Sequence, residues 1–287
     1  MSFPSLFCDV SFAARVERAD CQLLADAVAV AARRRDDTLA APLGGGLVAY
    51  AEPGSPLNKI AGLGFAPLRL DELAAAEDRL RVRGCPAQVE LSSLADPVVG
   101  QALTRRGYVL MGVEQVLGRP ITEADAEVTL PEGVKVAESP PADIEGWLYT
   151  LTTGFLSPDG QGVPSHETFE QETLTRSMRD FVRTDGMIRL GASVGGQPAG
   201  GASMRLTDGI AQLCGAATLP AARRQGVQTA LLTARLALAA QAGAELAVIT
   251  TMPGSRSAHN AQRRGFVPLY VRMMLVRTLS DSAPEAA

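Results

Sequence analysis

Two stretches far apart in this chain end in the same way, and that repetition restricts the fold more than any other feature. Arg105-Arg106-Gly107-Tyr108 is followed by VLMGVEQVLGR, and Arg263-Arg264-Gly265-Phe266 by VPLYVRMMLVR. A constant offset of 158 residues carries Leu117 onto Leu275 and Arg119 onto Arg277. Upstream of each stands a short apolar run, Val89-Glu90-Leu91 in one case and Leu246-Ala247-Val248-Ile249 in the other. A polar turn and a helical segment that stops at the glycine follow each run. One matching tetrapeptide arises by chance, but the whole order of strand, turn, helix, Gly-aromatic and strand points to an internal duplication of an α/β module. A length of 287 residues accommodates two such modules. Between them, 120–141 is acidic and Pro-rich without helical periodicity, as a linker is. The expected organisation is a first module over 1–125 and a second over 133–287.

Composition narrows the function classes. With 46% apolar and 20% charged residues the chain has the balance of a soluble globular protein. A formal net charge of -4, and no basic run longer than Arg33-Arg34-Arg35, offer no general attraction for nucleic acid or an anionic membrane. Cys8, Cys21, Cys85 and Cys214 are scattered, with no C-x-x-C pair and no histidine at ligand spacing, so neither disulfides nor a metal is expected. No apolar stretch approaches the roughly 20 residues of a bilayer span, and Met1-Ser2-Phe3-Pro4 lacks the regions of a signal peptide. The expectation is a reduced, cytoplasmic protein of undetermined oligomeric state. His166 and His259 are isolated and read as ordinary surface or helix-lining histidines.

The first module reads as a helix near 11–33, strands near 45–51 and 58–66, a helix near 70–83 and the duplicated ending. In the second, 144–155 and 167–183 look helical. Three strands follow over 187–194, 198–206 and 209–218, separated by Gly195-Gly196 and Asp208-Gly209. Such pairs supply the positive φ angles of tight hairpins, so an antiparallel meander is expected. Next comes a helix over 224–242, whose residues Val227, Ala230, Leu231, Ala234, Leu238 and Gln241 are read as one buried stripe, with Gly243 as its C-cap. A strand of parallel type over 246–250 completes the pattern.

The junction GAATLPAARRQGVQTALL, 215–232, carries chemistry. Pro220 has no N–H to donate and stops the ladder. The chain then enters a helix through Arg223, Arg224, Gln225 and Gly226. A glycine lets an anion approach the backbone, the first helical turn presents N–H groups with about half a positive charge behind them, and two arginines flank the place. That combination suits a pyrophosphate; the plainer alternative is a surface loop with solvated arginines. The first module has only a Gly-x-Gly at Gly62 and Gly64, without the Arg-x-x-Gly entry, and close strand packing explains it at least as well.

These residues resemble the GNAT acetyltransferase superfamily, whose signature is Gln or Arg, two residues, Gly, one residue, then Gly or Ala. Arg223-x-x-Gly226-x-Gln228 matches its first four positions and departs at Gln228, where a bulkier side chain narrows the cradle. The resemblance covers 133–279. It implies two tandem GNAT-like α/β modules, each a mixed, mostly antiparallel sheet flanked by helices, the first degenerate. It also implies that acetyl-CoA is the co-substrate, without a metal. Ala217, Thr218 and Leu219 would pair with the pantetheine arm, Arg223, Arg224, Gln225, Gly226, Val227, Gln228 and Thr229 would form the diphosphate loop, and Leu219 N–H would polarise the thioester carbonyl. Asn260 resembles the polar residue placed against the coenzyme arm. Ala261 occupies the place of the usual tyrosine acid, leaving Tyr270 as the nearest alternative. Glu167, Glu170, Glu172 and Asp208 border the expected acceptor cleft, and none is singled out as base. The implied activity is transfer of an acetyl group to an amine of a small molecule or peptide; a non-catalytic coenzyme-binding or ligand-sensing protein is the alternative.

Overall fold

The computed structural model describes residues 6–158, 160, 162–163 and 165–279. The first half of the chain forms α1 (Val10–Ala31), β1 (Leu39–Leu43), β2 (Gly46–Tyr50), β3 (Lys59–Ala61), α2 (Leu70–Val82), β4 (Ala87–Ser92), α3 (Pro97–Arg105) and β5 (Val109–Pro120). The second forms β6 (Val134–Glu138), α4 (Ile144–Phe155), α5 (Gln171–Phe181), β7 (Met187–Val194), β8 (Gln197–Thr207), β9 (Ile210–Thr218), α6 (Val227–Gln241), β10 (Leu246–Thr251), α7 (Arg256–Gln262) and β11 (Val267–Arg277). β1 escaped the sequence reading, because LAAPL has neither strict alternation nor β-branched residues. The helix expected over 167–183 is shorter, beginning at Gln171.

The duplication is visible in the backbone. Tyr108 N–H donates to Leu103 O (3.1 Å) and Phe266 N–H to Ala261 O (3.2 Å). Gly107 and Gly265 both take a left-handed φ, +83° and +84°. Each helix therefore ends in the same Schellman-type turn, which needs a residue without Cβ at that place and drops an aromatic ring into the core behind it.

Two compact units result, and their boundaries do not follow the expected split at the linker. Of the described residues, the N-terminal unit takes 8–114, 165–173 and 270–279, and the C-terminal unit takes 6–7, 115–163 and 174–269. Strand pairing is the physical reason. The late part of β5 pairs antiparallel with β10 (Leu246↔Pro120 to Thr251↔Gln115), and the late part of β11 pairs antiparallel with β4 (Arg272↔Ser92 to Arg277↔Ala87). Each repeated ending thus completes the sheet of the other half.

In the N-terminal unit β1, β2 and β3 form an antiparallel meander and β3 runs parallel to β4. One face of this sheet, with α2 and α3, encloses an apolar core that includes Ile60, Leu73, Leu80, Val89, Leu91 and Leu103. Alternate residues point the other way: Gln88, Glu90, Ser92 and Arg272 are buried, as is Glu17 of α1. The C-terminal unit repeats the plan, with a meander β6 to β9 and β9 parallel to β10. Leu117, Met204, Leu213, Leu236, Ile249 and Phe266 lie in one core, and Trp147, Leu148, Leu151 and Val182 in another that includes α4. No helix among the described residues is long and apolar enough to cross a membrane.

Candidate active site

The parallel pairing of β9 with β10 stops early. It covers Leu246↔Ile210, Ala247↔Ala211 and Val248↔Gln212, and β9 then continues through 213–218 with no strand partner on that side among the described residues. A bulge accompanies the parting. On β8, Ser203 opposes Cys214 and Ala202 opposes Ala216, which leaves Gly215 as the extra residue, at φ +49°. An inserted residue bends a strand and raises its twist, so β9 leaves the sheet there and a fork opens between the strands.

Leu219 N–H donates to Ala199 O on β8 at 2.9 Å. This corrects its expected part as oxyanion donor, since that hydrogen is already engaged within the sheet. Antiparallel alternation places Ala217 in the same orientation as Leu219, so Ala216 and Thr218 direct their N–H and C=O groups to the open side. Gly154 of α4 lets the helix come close here: a Cβ on it would lie 2.6 Å from Ala217 Cβ and 3.4 Å from Thr218 N.

Beyond the strand, a short 3-10 turn (Pro220–Ala222) leads to Gly226, the N-cap of α6, with φ +81° and no side-chain cap. Arg223 N–H donates to Pro220 O (3.3 Å), and the next main-chain bond is Ala230 N–H to Gly226 O (2.9 Å). The six N–H groups of 224–229 between them have no main-chain acceptor among the described residues. Such a row of donors at a helix start is an anion cradle, and the first turn of α6 holds no acidic side chain to neutralise it.

The side chains around the loop are placed as follows. Gly226 is required by its left-handed φ and by Pro131, whose Cβ and Cγ lie 2.8 and 2.9 Å from where its Cβ would sit, so the close approach on that side is by the chain itself. Arg223 is half-buried and its guanidinium donates to Ser157 O, which ties the loop to the segment after α4. Arg224 is exposed, with φ +63°. Gln225 Nε2 bonds Ala221 O (3.1 Å) and Val227 is buried, while Thr229 O accepts from Thr233 Oγ1 (2.9 Å). The departure at Gln228 and the residue Asn260 prove to be one feature: Asn260 Nδ2 on α7 donates to Gln228 Oε1 on α6 at 2.5 Å.

Tyr270 lies outside the unit that holds this loop. It belongs to the N-terminal unit, 5% exposed, with its hydroxyl donating to Glu17 Oε1 at 2.7 Å. Burial, and then the Glu17 charge, hold the phenol far above its ordinary range, so it is corrected from acid candidate to core residue. Of the four carboxylates, Glu167 belongs to the N-terminal unit and accepts from Gln88 Nε2 (3.1 Å), and Glu170 and Glu172 are exposed. Asp208 is exposed in the β8–β9 hairpin, at the opposite end of β9 from Thr218, which removes it from the list. Among the described residues no group of three or more His, Cys, Asp or Glu is placed to hold a metal ion.

The sequence reading missed Gly215, Pro131 and Arg235. A glycine inside a strand is itself a bulge signal, and Arg235 stands four residues after Leu231 on the stripe that the helical period had already marked as buried.

A family model described as acetyltransferase (GNAT) family matches residues 155–266. No curated protein matches the chain. Among solved structures the chain is similar to a GCN5-related N-acetyltransferase from Kribbella flavida, with 18% identity and a TM-score of 0.63, over 95% of this chain and 96% of that one. It is similar also to a tandem GNAT protein from the clavulanic acid biosynthesis pathway, with 16% identity and a TM-score of 0.61, over 89% and 88%. A GCN5-related N-acetyltransferase from Sphaerobacter thermophilus follows at 16% identity and a TM-score of 0.53, over 74% and 68%. Fork, bulge, donor row and family match coincide in one segment: residues 155–266 match the GNAT acetyltransferase family model, and the chain shares its fold with the GNAT structures it is similar to, a tandem one among them.

Proposed function

We propose that the C-terminal unit transfers an acetyl group from acetyl-CoA to an amine of a small molecule or peptide. The observation that carries this reading is the fork between β9 and β10 leading directly into six unengaged N–H groups at the start of α6. The fit of that site to the coenzyme is good where charge is concerned, because donors and helix dipole suit a diphosphate and Arg224 adds an exposed cation.

Acetyl-CoA supplies, when bound, an acyl carbonyl already activated by its thioester. The chain supplies position and polarity. The donors of 224–229 fix the diphosphate, and the outward N–H groups of Ala216 and Thr218 take the place first given to Leu219, pairing with the arm and facing the carbonyl oxygen as it gains charge. The acceptor amine must reach this centre unprotonated. Holding the two reactants in line removes up to roughly 7–11 kcal/mol of barrier in favourable cases, without a covalent intermediate on the protein.

The engagement of Leu219 and Tyr270 elsewhere, and Ala261 in the place of the usual acid, favour a second reading: a protein that binds the coenzyme without turning it over. Release of free thiol from acetyl-CoA in the presence of a panel of amines separates the two. Turnover with at least one amine is the expected result. A thermal shift with acetyl-CoA, on the order of 2.7 kcal/mol of added stability at a hundredfold excess over Kd, unaccompanied by any turnover, would support the binding protein.

A further inference from the structure

Arg235 stands on α6 with its side chain under the sheet, and it is 1% exposed. Its Nε donates to Leu231 O and its Nη1 to Ser203 O, each at 3.2 Å. No carboxylate pairs with it among the described residues. The titratable group facing it on β9 is the Cys214 thiol. Arg205 follows on β8, and Asp125 of the 3-10 turn Glu123–Ala126 is held by Arg119. Lys135 and Glu138 of β6, Arg189 of β7 and His259 of α7 form no pair with it. A buried cation without a counter-charge is costly and rarely retained for stability alone.

Its position gives it a use. Ser203 and Cys214 form the last regular rung before the Gly215 bulge, and the last rung of β9 on β10 is Val248↔Gln212, so Arg235 lies under the apex of the fork. The bulge carbonyls are taken up locally, Cys214 O by Ser203 Oγ (3.0 Å) and Ser203 O by Arg235. A coenzyme whose diphosphate was held at 224–229 and whose arm lay in the fork would bring its sulfur end toward that apex.

Resting on the function proposed above, we propose that Arg235 is a positioning residue for acyl transfer: it holds the bulge that opens the fork and lays an uncompensated positive charge beneath the thioester sulfur. In the reaction the C–N bond forms as the C–S bond breaks, the electron pair of that bond stays on sulfur, and the proton lost by nitrogen ends there. A fixed cation in a low-dielectric site favours the anionic sulfur before that proton arrives. This matters in a site with Ala261 in place of an acid.

Two variants separate charge from geometry. Arg235→Gln keeps a donor toward Ser203 O without the charge, and Arg235→Lys keeps the charge. Calorimetric titration with coenzyme A and with desulfo-coenzyme A between pH 6 and pH 9 reads the sulfur directly. For the unaltered protein, coenzyme A should bind at least about fivefold more tightly at the high end, because a nearby cation lowers the pKa of the bound thiol below that of the free one, while desulfo-coenzyme A stays level. Arg235→Gln should lose that rise, with kcat reduced at least about tenfold and KM for acetyl-CoA changed by less than about threefold. Arg235→Lys should keep most of both. Persistence of the rise in Arg235→Gln, or equal losses in the two variants, overturns the proposal. If Arg235→Gln does not fold, a folded Arg235→Lys without the rise overturns it equally. Should the unaltered protein bind neither compound, the coenzyme reading itself fails and this inference with it.

Discussion

In the N-terminal unit the parallel step from β3 to β4 is two rungs long, Ile60↔Val89 and Ala61↔Glu90, and the chain closes on itself immediately afterwards. A Cβ on Gly62 (φ +74°) would lie 2.6 Å from Cys21 Sγ, and one on Gly64 (φ +89°) 2.5 Å from Ala95 Cβ, while Asp96 N–H donates to Gly64 O at 2.9 Å. The helix that follows carries Asp71 and Glu72 in its first turn. In the C-terminal unit the corresponding strand runs on past its partner, and the helix after it begins with bare N–H groups and no acid. One sheet plan therefore supports two opposite loop chemistries. Whether such a fork can take an anionic ligand is decided by about ten residues after the parallel strand, where one loop is filled by its own side chains and its helix dipole is already answered by carboxylates.

The polar face of the N-terminal unit fits the same contrast. Lys59 pairs with Glu90, and Arg272 with Glu17 and Asp20. These buried and half-buried charges satisfy one another.

The largest effect should come from exchanging glycine behaviour between the two forks. Gly226→Glu places a carboxylate in the donor row at a left-handed φ and should abolish the thermal shift with acetyl-CoA. Arg224→Glu, at an exposed position, should weaken coenzyme binding at least about tenfold, roughly 1.4 kcal/mol, with the Tm of the free protein unchanged. Gly62→Ala should do the reverse, costing roughly 2–4 kcal/mol of stability through backbone strain and overpacking against Cys21 while coenzyme affinity stays the same. Equal binding losses in the two units would break the comparison.

A smaller effect concerns Glu114, whose carboxyl is pushed up to about 7 by burial and then by Glu90. It keeps its proton in the folded state where an unfolded chain releases it, so its contribution is complete below the ordinary carboxylate value and disappears as pH rises to about 7, on the order of 1–3 kcal/mol. Denaturant midpoints at pH 5 and pH 8 should differ less in Glu114→Gln than in the parent. Smallest of all, Tyr270→Phe removes one buried hydrogen bond to Glu17 and should cost about 1–2 kcal/mol in stability with kcat unaltered; a large fall in kcat would restore the tyrosine as an acid.

Much of this was legible in the residues. Glycine followed by an aromatic at a fixed offset announced the duplicated helix ends, because only glycine takes the left-handed turn cheaply. The Arg-x-x-Gly entry located the donor row, since a missing side chain and a helix start are both written in single residues. What escaped is relational. Exchange of the two endings depends on which strand each one pairs with, and VLMGVEQVLGR suits either half equally. Leu219 N–H was misassigned because its orientation is set by the register with Ala199, and Gly215 shifts that register by one residue. Tyr270 was misassigned because its partner Glu17 stands at the other end of the chain.

Amide hydrogen exchange with and without acetyl-CoA compares the two forks in a single measurement. Protection should appear over 213–229 and be absent over 59–66. Protection over 59–66, or none over 213–229 at a saturating concentration, would contradict the account.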